Sequence, residues 1–176
     1  SKGLMNPQIS YGEDIIARCN LAISSAEGRE RLQKLATDAI SELGSSMARS
    51  VGASVEDITE AVVVGNTAMH HLCLGLPVRQ LVLAPFVPAA SNALDVKARD
   101  LGLPFAPGAY VHLLPNIAGF VGADHVSMLL ATDVRTTDGV VVALDIGTNT
   151  EVSLIHAGKI NSISCASGPA FEGGHI

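Results

Sequence analysis

The sequence predicts an α/β protein, and three observations carry that expectation. Two stretches in the first third place apolar residues at helical spacing. A short β-branched run at residues 61–64 and a strand-like run at 110–114 end in Gly-Asn and Pro-Asn turns. Three short strand-like segments joined by tight turns then close the sequence. The order runs helices, a βα unit, a helix, a strand, a small-residue helix, a polar linker and a fresh antiparallel meander.

Residues 11–22 form the first expected helix, with Ile15, Ile16 and Cys19 on one face and Glu13 and Asp14 near its start. Residues 30–51 repeat the pattern through Leu32, Leu35, Ala36, Ala39, Ile40, Leu43 and Met47, with a bend expected near Gly44. Ser54-Val55-Glu56-Asp57 is a capped turn. The unalternated run Ala61-Val62-Val63-Val64 has the character of a buried parallel strand. It passes through Gly65-Asn66-Thr67 into a helix at 68–74, which makes a βα turn at the carboxyl edge of a sheet, where ligands sit in open α/β folds. Pro-punctuated text follows, with one helix expected at 93–101. A buried strand is expected at 110–114 and a helix at 119–131, opening on Gly119, Gly122 and Ala123. Residues 133–139 read as a linker, and strands at 140–144, 151–155 and 159–164 complete the order, the last two joined through Ala157-Gly158.

The chain has 176 residues, 48% of them apolar, 16% charged and 3% aromatic, so its core must be aliphatic and Ala-rich. A net charge of −6 leaves no footprint for nucleic acid or an anionic membrane. No apolar run reaches the ~18 residues of a membrane-spanning helix. Cys19, Cys73 and Cys165 are odd in number and widely spaced, which favours reduced thiols in a cytoplasmic setting over a zinc or iron–sulfur site. The chain opens on Ser1 and stops soon after Gly168-Pro169 signals a helix start, so a fragment of a longer protein is expected.

The most informative segment is residues 140–154. An apolar strand ends in Asp145, turns through Gly147-Thr148-Asn149-Thr150 and continues into a second strand. Gly147 lets an anion approach the main chain, turn amides can form an anion nest, and Thr148 and Thr150 add hydroxyls. Asp145 repels phosphate but suits Mg²⁺ or an attacking water. Ordinary hairpin punctuation uses the same residue types.

Six stretches, taken in order, resemble a known family. They are Asn6-Pro7-Gln8 with residues 11–18, Val64-Gly65-Asn66-Thr67-Ala68-Met69-His70-His71-Leu72, Ala84-Pro85-Phe86-Val87-Pro88, residues 114–124, Asp145-Ile146-Gly147-Thr148-Asn149-Thr150-Glu151, and residues 165–173. They resemble the ATP-dependent reductive activators of corrinoid proteins, within the actin-like ATPase superfamily of actin, sugar kinases and acetate kinase. The resemblance implies an α/β actin-like fragment. Residues 1–133 would be the tail of a first subdomain with a crossover helix at 119–131. Residues 134–176 would open a second, with a three-strand meander and a truncated helix. It implies ATP and Mg²⁺ as cofactors, a two-iron ferredoxin-type cluster elsewhere in the parent protein, and a corrinoid protein of a methyl-transfer system as partner. The intact parent would reduce Co(II) corrinoid to Co(I), and this fragment alone would be inactive.

On that resemblance Gly147, Thr148, Asn149 and Thr150 are phosphate-turn positions and Asp145 faces Mg²⁺ or water. Asp124 occupies the place of a sugar-kinase catalytic carboxylate, or is a first-turn Asp favoured by the helix dipole. Gly65 and Asn66 face the cleft, or Asn66 is a helix cap. Gly168 begins a second helix N-terminus suited to an anion, and Glu172 reaches metal through water or favours the dipole. Glu151 is a site carboxylate or half of a surface ion pair. Gly119, Gly122 and Ala123 allow close helix approach or hinge sliding. His70 and His71 point about 100° apart on a helix and so do not share a metal; one is expected buried and bonded, the other solvated. Rival readings are a small-molecule kinase with Asp124 as general base and a non-catalytic docking or homodimerisation module.

Overall fold

A computed structural model describes residues 1–12, 14–147 and 149–168, apart from the Arg135 side chain. Helix α1 (Ile15–Ser24) is followed by the 25-residue α2 (Ala26–Ser50). Strand β1 (Glu60–Val63) leads into α3 (Thr67–Cys73), and β2 (Leu94–Lys97) and β3 (Tyr110–Leu113) complete the first sheet. Helix α4 (Ala123–Ala131) then leads to the meander β4 (Val140–Ile146), β5 (Asn149–His156) and β6 (Lys159–Ala166).

The expected first helix is two elements. Asn6 caps a short 3-10 turn at Pro7–Tyr11, and the Asp14 carboxylate accepts from Ala17 N at 2.7 Å to start α1 afresh. Fully buried Gln8 donates from Nε2 to the Leu32 carbonyl and lies 3.4 Å from Arg18, tying the opening turn to both helices. Ser25 ends α1 and caps α2, its hydroxyl accepting from Gly28 N at 2.8 Å, so α2 begins four residues earlier than its apolar spacing predicts. It runs on through Gly44, where the Phe105 ring packs.

The first sheet has the order β1-β3-β2, with β1 parallel and β2 antiparallel to β3. Ala98, Leu101, Leu103, Phe105, Val111 and Leu113 form its core, joined by Ile40 of α2. Among the described residues only one face is covered, so the expectation of a buried strand at 61–64 is corrected: Val62 is 61% exposed, beside His112 across the register. The helix expected at 93–101 is also overturned. Leu94 and Val96 alternate inward with Asp95 and Lys97 outward, and pairing to β3 selects the strand period; a 3-10 turn at Ala98–Leu101 follows. On the open face Asp95 meets His112 of β3 at 2.7 Å.

Residues 119–122 are not helical. Ala118 and Val121 bridge antiparallel, Phe86 and Phe120 meet edge to face at 5.2 Å, and Gly119 presses on the Phe86 backbone. The following segment is tied down through Val134, which starts a 3-10 turn at Val134–Thr136 and packs with Leu129 of α4, Ala143 and Ile155. The meander has the expected order, and its β5–β6 turn uses Ala157 and Gly158 at φ 49° and 75°, the backbone a two-residue hairpin needs. One meander face packs on α4; the other exposes Val140, Val142, Leu144 and Ile146. Among the described residues no helix is long and apolar enough to cross a membrane.

Candidate functional site

The meander face toward α4 changes character along its strands. Register places Val141, Ile155 and Ile160 in one row, Ala143, Ser153 and Ser162 in the next, and Asp145, Glu151 and Ser164 in the third. The face therefore grades from apolar to hydroxyl to acidic as it nears the 147–149 turn. Alternation decides this: side chains two apart share a face, and residues directly opposite in an antiparallel pair point the same way.

Helix α4 sets its N-terminal turn on the acidic end. Its first amides are satisfied by the β1–α3 turn, since the Gly65 carbonyl accepts from Ala123 N at 3.0 Å and Asp124 N at 3.3 Å. Gly122 makes this possible, because a Cβ there would lie 2.6 Å from Asn66 Cα. Gly65 and Asn66 are thus joined to the start of α4, and through Asp124 and His125 to Asp145. The Asn66 carboxamide accepts from Met69 N at 2.8 Å and caps α3.

Asp124, Asp145 and Glu151 converge. Burial raises the Asp124 carboxyl, opposed by the His125 amide bond and reinforced by Asp145. Burial likewise raises Glu151; the Ser164 hydroxyl, donating to it at 2.9 Å, opposes the rise, and Asp124 and Asp145 add to it. Among the described residues Glu151 leans on this hydroxyl, with no cation paired to it. Fully buried His125 places Nε2 at 2.6 Å from Ser153 Oγ, which lies 2.6 Å from Ser162 Oγ. Its Nδ1 lies 3.9 Å from Asp145 Oδ2 and has no hydrogen-bond partner among the described residues. Burial lowers the His125 pKa, against the pull of Asp145 and Asp124.

The turn is accessible at Asn149 and braced from the far end of β6. Gly147 N donates to the Asn149 carbonyl at 3.1 Å, while the Ser167 hydroxyl donates to the Gly147 carbonyl at 2.8 Å and meets Thr150 Oγ1 at 2.9 Å. The Gly147 amide and the Thr150 hydroxyl are thus already engaged within the turn. Gly168, at φ 88°, adjoins Ser167. Thr148 and Glu172 lie outside the described residues.

This donor set suits a hydrated Mg²⁺. The Asp145 side chain is 35% exposed at the root of the turn, and a cation would relieve the repulsion among three carboxylates. Among the described residues no three His, Cys, Asp or Glu side chains form a closed metal cage. Mg²⁺ is ordinarily held by one or two carboxylates, waters and phosphate oxygens.

Elsewhere, His71 is buried and bonded as expected, to the Thr67 carbonyl at 2.7 Å and the Ala89 amide at 2.9 Å. The expectation that the other histidine of the pair is solvated is corrected, because His70 is buried too. Neither of its ring nitrogens has a partner among the described residues, and it borders an apolar cavity of about 240 Å³ between α2, α3 and β1. Buried Cys19 and Cys73 have thiols pushed up to about 11, chiefly by burial, while Cys165 is exposed.

The sequence motifs single out Asp145, Asp124 and the turn but not His125, Ser153, Ser162 and Ser164. A signal existed: serines at 153, 162 and 164 alternate with apolar residues on strands whose inward rows should be apolar.

Residues 1–137 match the family described as the RACo middle region, and residues 139–176 match the family described as the C-terminal domain of RACo, the ASKHA domain. The chain is 32% identical over 170 residues to the corrinoid activation enzyme RamQ of Eubacterium limosum, covering 97% of this chain and 28% of that protein. It superposes on the structure of a reductive activator for corrinoid, iron–sulfur protein with a TM-score of 0.92 and 35% identity, covering 98% of this chain and 27% of that one. The chain thus spans just over a quarter of the length of each relative.

Proposed function

Because the chain belongs to the RACo family, carrying its middle region and the opening of its actin-like ASKHA domain, we propose that it forms the cleft-bearing part of an ATP-dependent activase that returns corrinoid proteins from Co(II) to Co(I). The names of its relatives support a corrinoid protein as partner. On this reading electrons come from a two-iron ferredoxin-type cluster carried elsewhere in a cytoplasmic protein. The observation that carries the reading is the convergence of Asp145, the 147–149 turn and the first turn of α4 at one acidic end of the meander.

In this scheme Asp145 holds Mg²⁺ or orients a water, and positions 147–150 receive phosphate oxygens, with the Gly147 amide and the Thr150 hydroxyl exchanging their present partners for them. The Gly65 carbonyl and Gly122 keep the start of α4 against the β1–α3 turn. We place the subdomain boundary at residues 133–134, and the change of family match between residues 137 and 139 supports a boundary in this segment. When bound, Mg²⁺–ATP would favour one of two subdomain arrangements by its differential affinity for them.

The test is ATP hydrolysis and corrinoid reduction by the intact protein, compared with a Gly147→Val, Thr148→Ala double variant. Loss of both activities supports the assignment; unchanged rates overturn the role of the turn. A kinase reading draws on one observation, the half-buried Asp124 carboxyl whose raised pKa suits a general base. Phosphoryl transfer from ATP to a small alcohol or carboxylate, lost in Asp124→Asn, would favour it.

A further inference from the structure

His125 joins α4 to the meander, and its surroundings determine where its proton sits. Three heavy atoms form a chain, fully buried at His125 and Ser153 and partly buried at Ser162: His125 Nε2, Ser153 Oγ and Ser162 Oγ, each contact 2.6 Å. Each hydroxyl has one proton to give, so the chain runs in one of two directions. If Nε2 carries the proton and donates to Ser153, Nδ1 presents a bare lone pair toward the Asp145 carboxylate 3.9 Å away, inside the protein. If Ser162 donates to Ser153 and Ser153 donates to Nε2, the proton is on Nδ1 and an N–H dipole faces Asp145. Asp124 beside it and Glu151 opposite Asp145 in the register add negative potential on the same side. Electrostatics selects the second direction.

The Nδ1–H then lacks an acceptor, and a buried donor without one is costly. Asp145 is the acceptor within reach. A shift of about 1 Å brings the 3.9 Å separation to hydrogen-bond length. Asp145 lies two residues before Gly147, at the end of β4, so a ligand binding there acts directly on its carboxylate.

We propose that His125 is a positioning residue for Asp145: Ser162 and Ser153 hold its ring with the proton on Nδ1, and this N–H closes onto the Asp145 carboxylate when a phosphate-bearing nucleotide binds beside it, locking α4 to the end of β4. The proposal rests on the nucleotide reading of the turn, but the tautomer is a property of the protein without nucleotide.

Nitrogen-15 NMR of ring-labelled intact protein tests it. The His125 ring is expected in the Nδ1–H form, the less common one for a free histidine side chain, and Ser153→Ala is expected to depopulate it. A non-hydrolysable ATP analogue with Mg²⁺ is expected to shift the Nδ1 proton downfield. An Nε2–H ring in the wild-type protein, or a ring signal unmoved by bound analogue, overturns the proposal. Two variants give an independent reading, because an Asn amide stands near Nδ1 and a Gln amide near Nε2. His125→Asn keeps the donor toward Asp145 and should hold kcat within about threefold, whereas His125→Gln should lose about tenfold in kcat with KM little changed. Equal losses in both variants overturn a directional role. If the analogue does not bind at all, the nucleotide reading fails, while the tautomer measured without it still decides the Nδ1–H assignment.

Discussion

Gly122 stands against Asn66 so closely that a Cβ on Gly122 would lie 2.6 Å from Asn66 Cα and 2.7 Å from Thr67 N. That contact lets the Gly65 carbonyl cap the first amides of α4, and it is backbone against backbone, so neither side can yield by rotating a side chain. Gly122→Ala is expected to destabilise the protein by about 3 kcal/mol, measured by urea denaturation. A loss below about 0.5 kcal/mol, the range of neutral surface changes, would mean that the two turns are not held together this way.

Asn66 separates a cap from a ligand contact. Its carboxamide accepts from Met69 N, so Asn66→Ala should cost about 1 kcal/mol while Asn66→Ser, which restores a cap, should recover most of it. If nucleotide affinity drops with Asn66→Ser while stability is retained, Asn66 contributes to the cleft beyond its capping.

Acid should weaken the fold from about pH 6.5 downward, where unfolded histidines begin to bind protons. Burial, with neighbouring His71 second, lowers His70 to about 4, and burial also lowers His71 and His125. A depressed histidine pKa means the unfolded chain binds more protons in this window. The stabilising contribution is therefore full above pH 6.5 and is lost as pH falls through the folded values. Asp124 and Glu151 are raised and act oppositely: their contribution is present at low pH and fades as pH rises through their folded values. Denaturation midpoints measured from pH 8 to pH 4 should fall, and a flat or rising profile would contradict the burial of these rings.

His70→Leu offers a sharper check. It removes two ring nitrogens that lack partners among the described residues and leaves an apolar side chain beside an apolar cavity. Stability at pH 7 should rise by about 1 kcal/mol, and the acid slope should flatten. A loss of stability would show that the imidazole has a partner that matters.

Thiol chemistry distinguishes the three cysteines. Cys165 is exposed, whereas Cys19 and Cys73 are buried with thiols pushed up to about 11. Iodoacetamide at pH 8 should modify Cys165 in the native protein and reach the other two only after unfolding, with peptide mass spectrometry as the readout. Rapid native labelling of Cys73 would mean that α3 opens.

Short-range chemistry in the sequence determined the elements whose signals are local. Ser54 and Asp57 form their reciprocal cap, the meander strands follow their alternation, and Asp145 sits near the end of β4 because the strand stops at Ile146, before Gly147. Tertiary structure decided what depends on partners far along the chain. Residues 94–97 satisfy a helical and a strand period alike until pairing with β3 chooses. Helix α4 starts at Ala123 because Gly65, nearly sixty residues earlier, supplies the carbonyl for its first amides. His125 is fully buried with a serine chain on one side and a carboxylate on the other only because α4 packs on the inward face of the meander. Periodicity and capping act over a few residues, while burial and register are set by which surfaces meet, and that is why the turn was legible and its buried support was not.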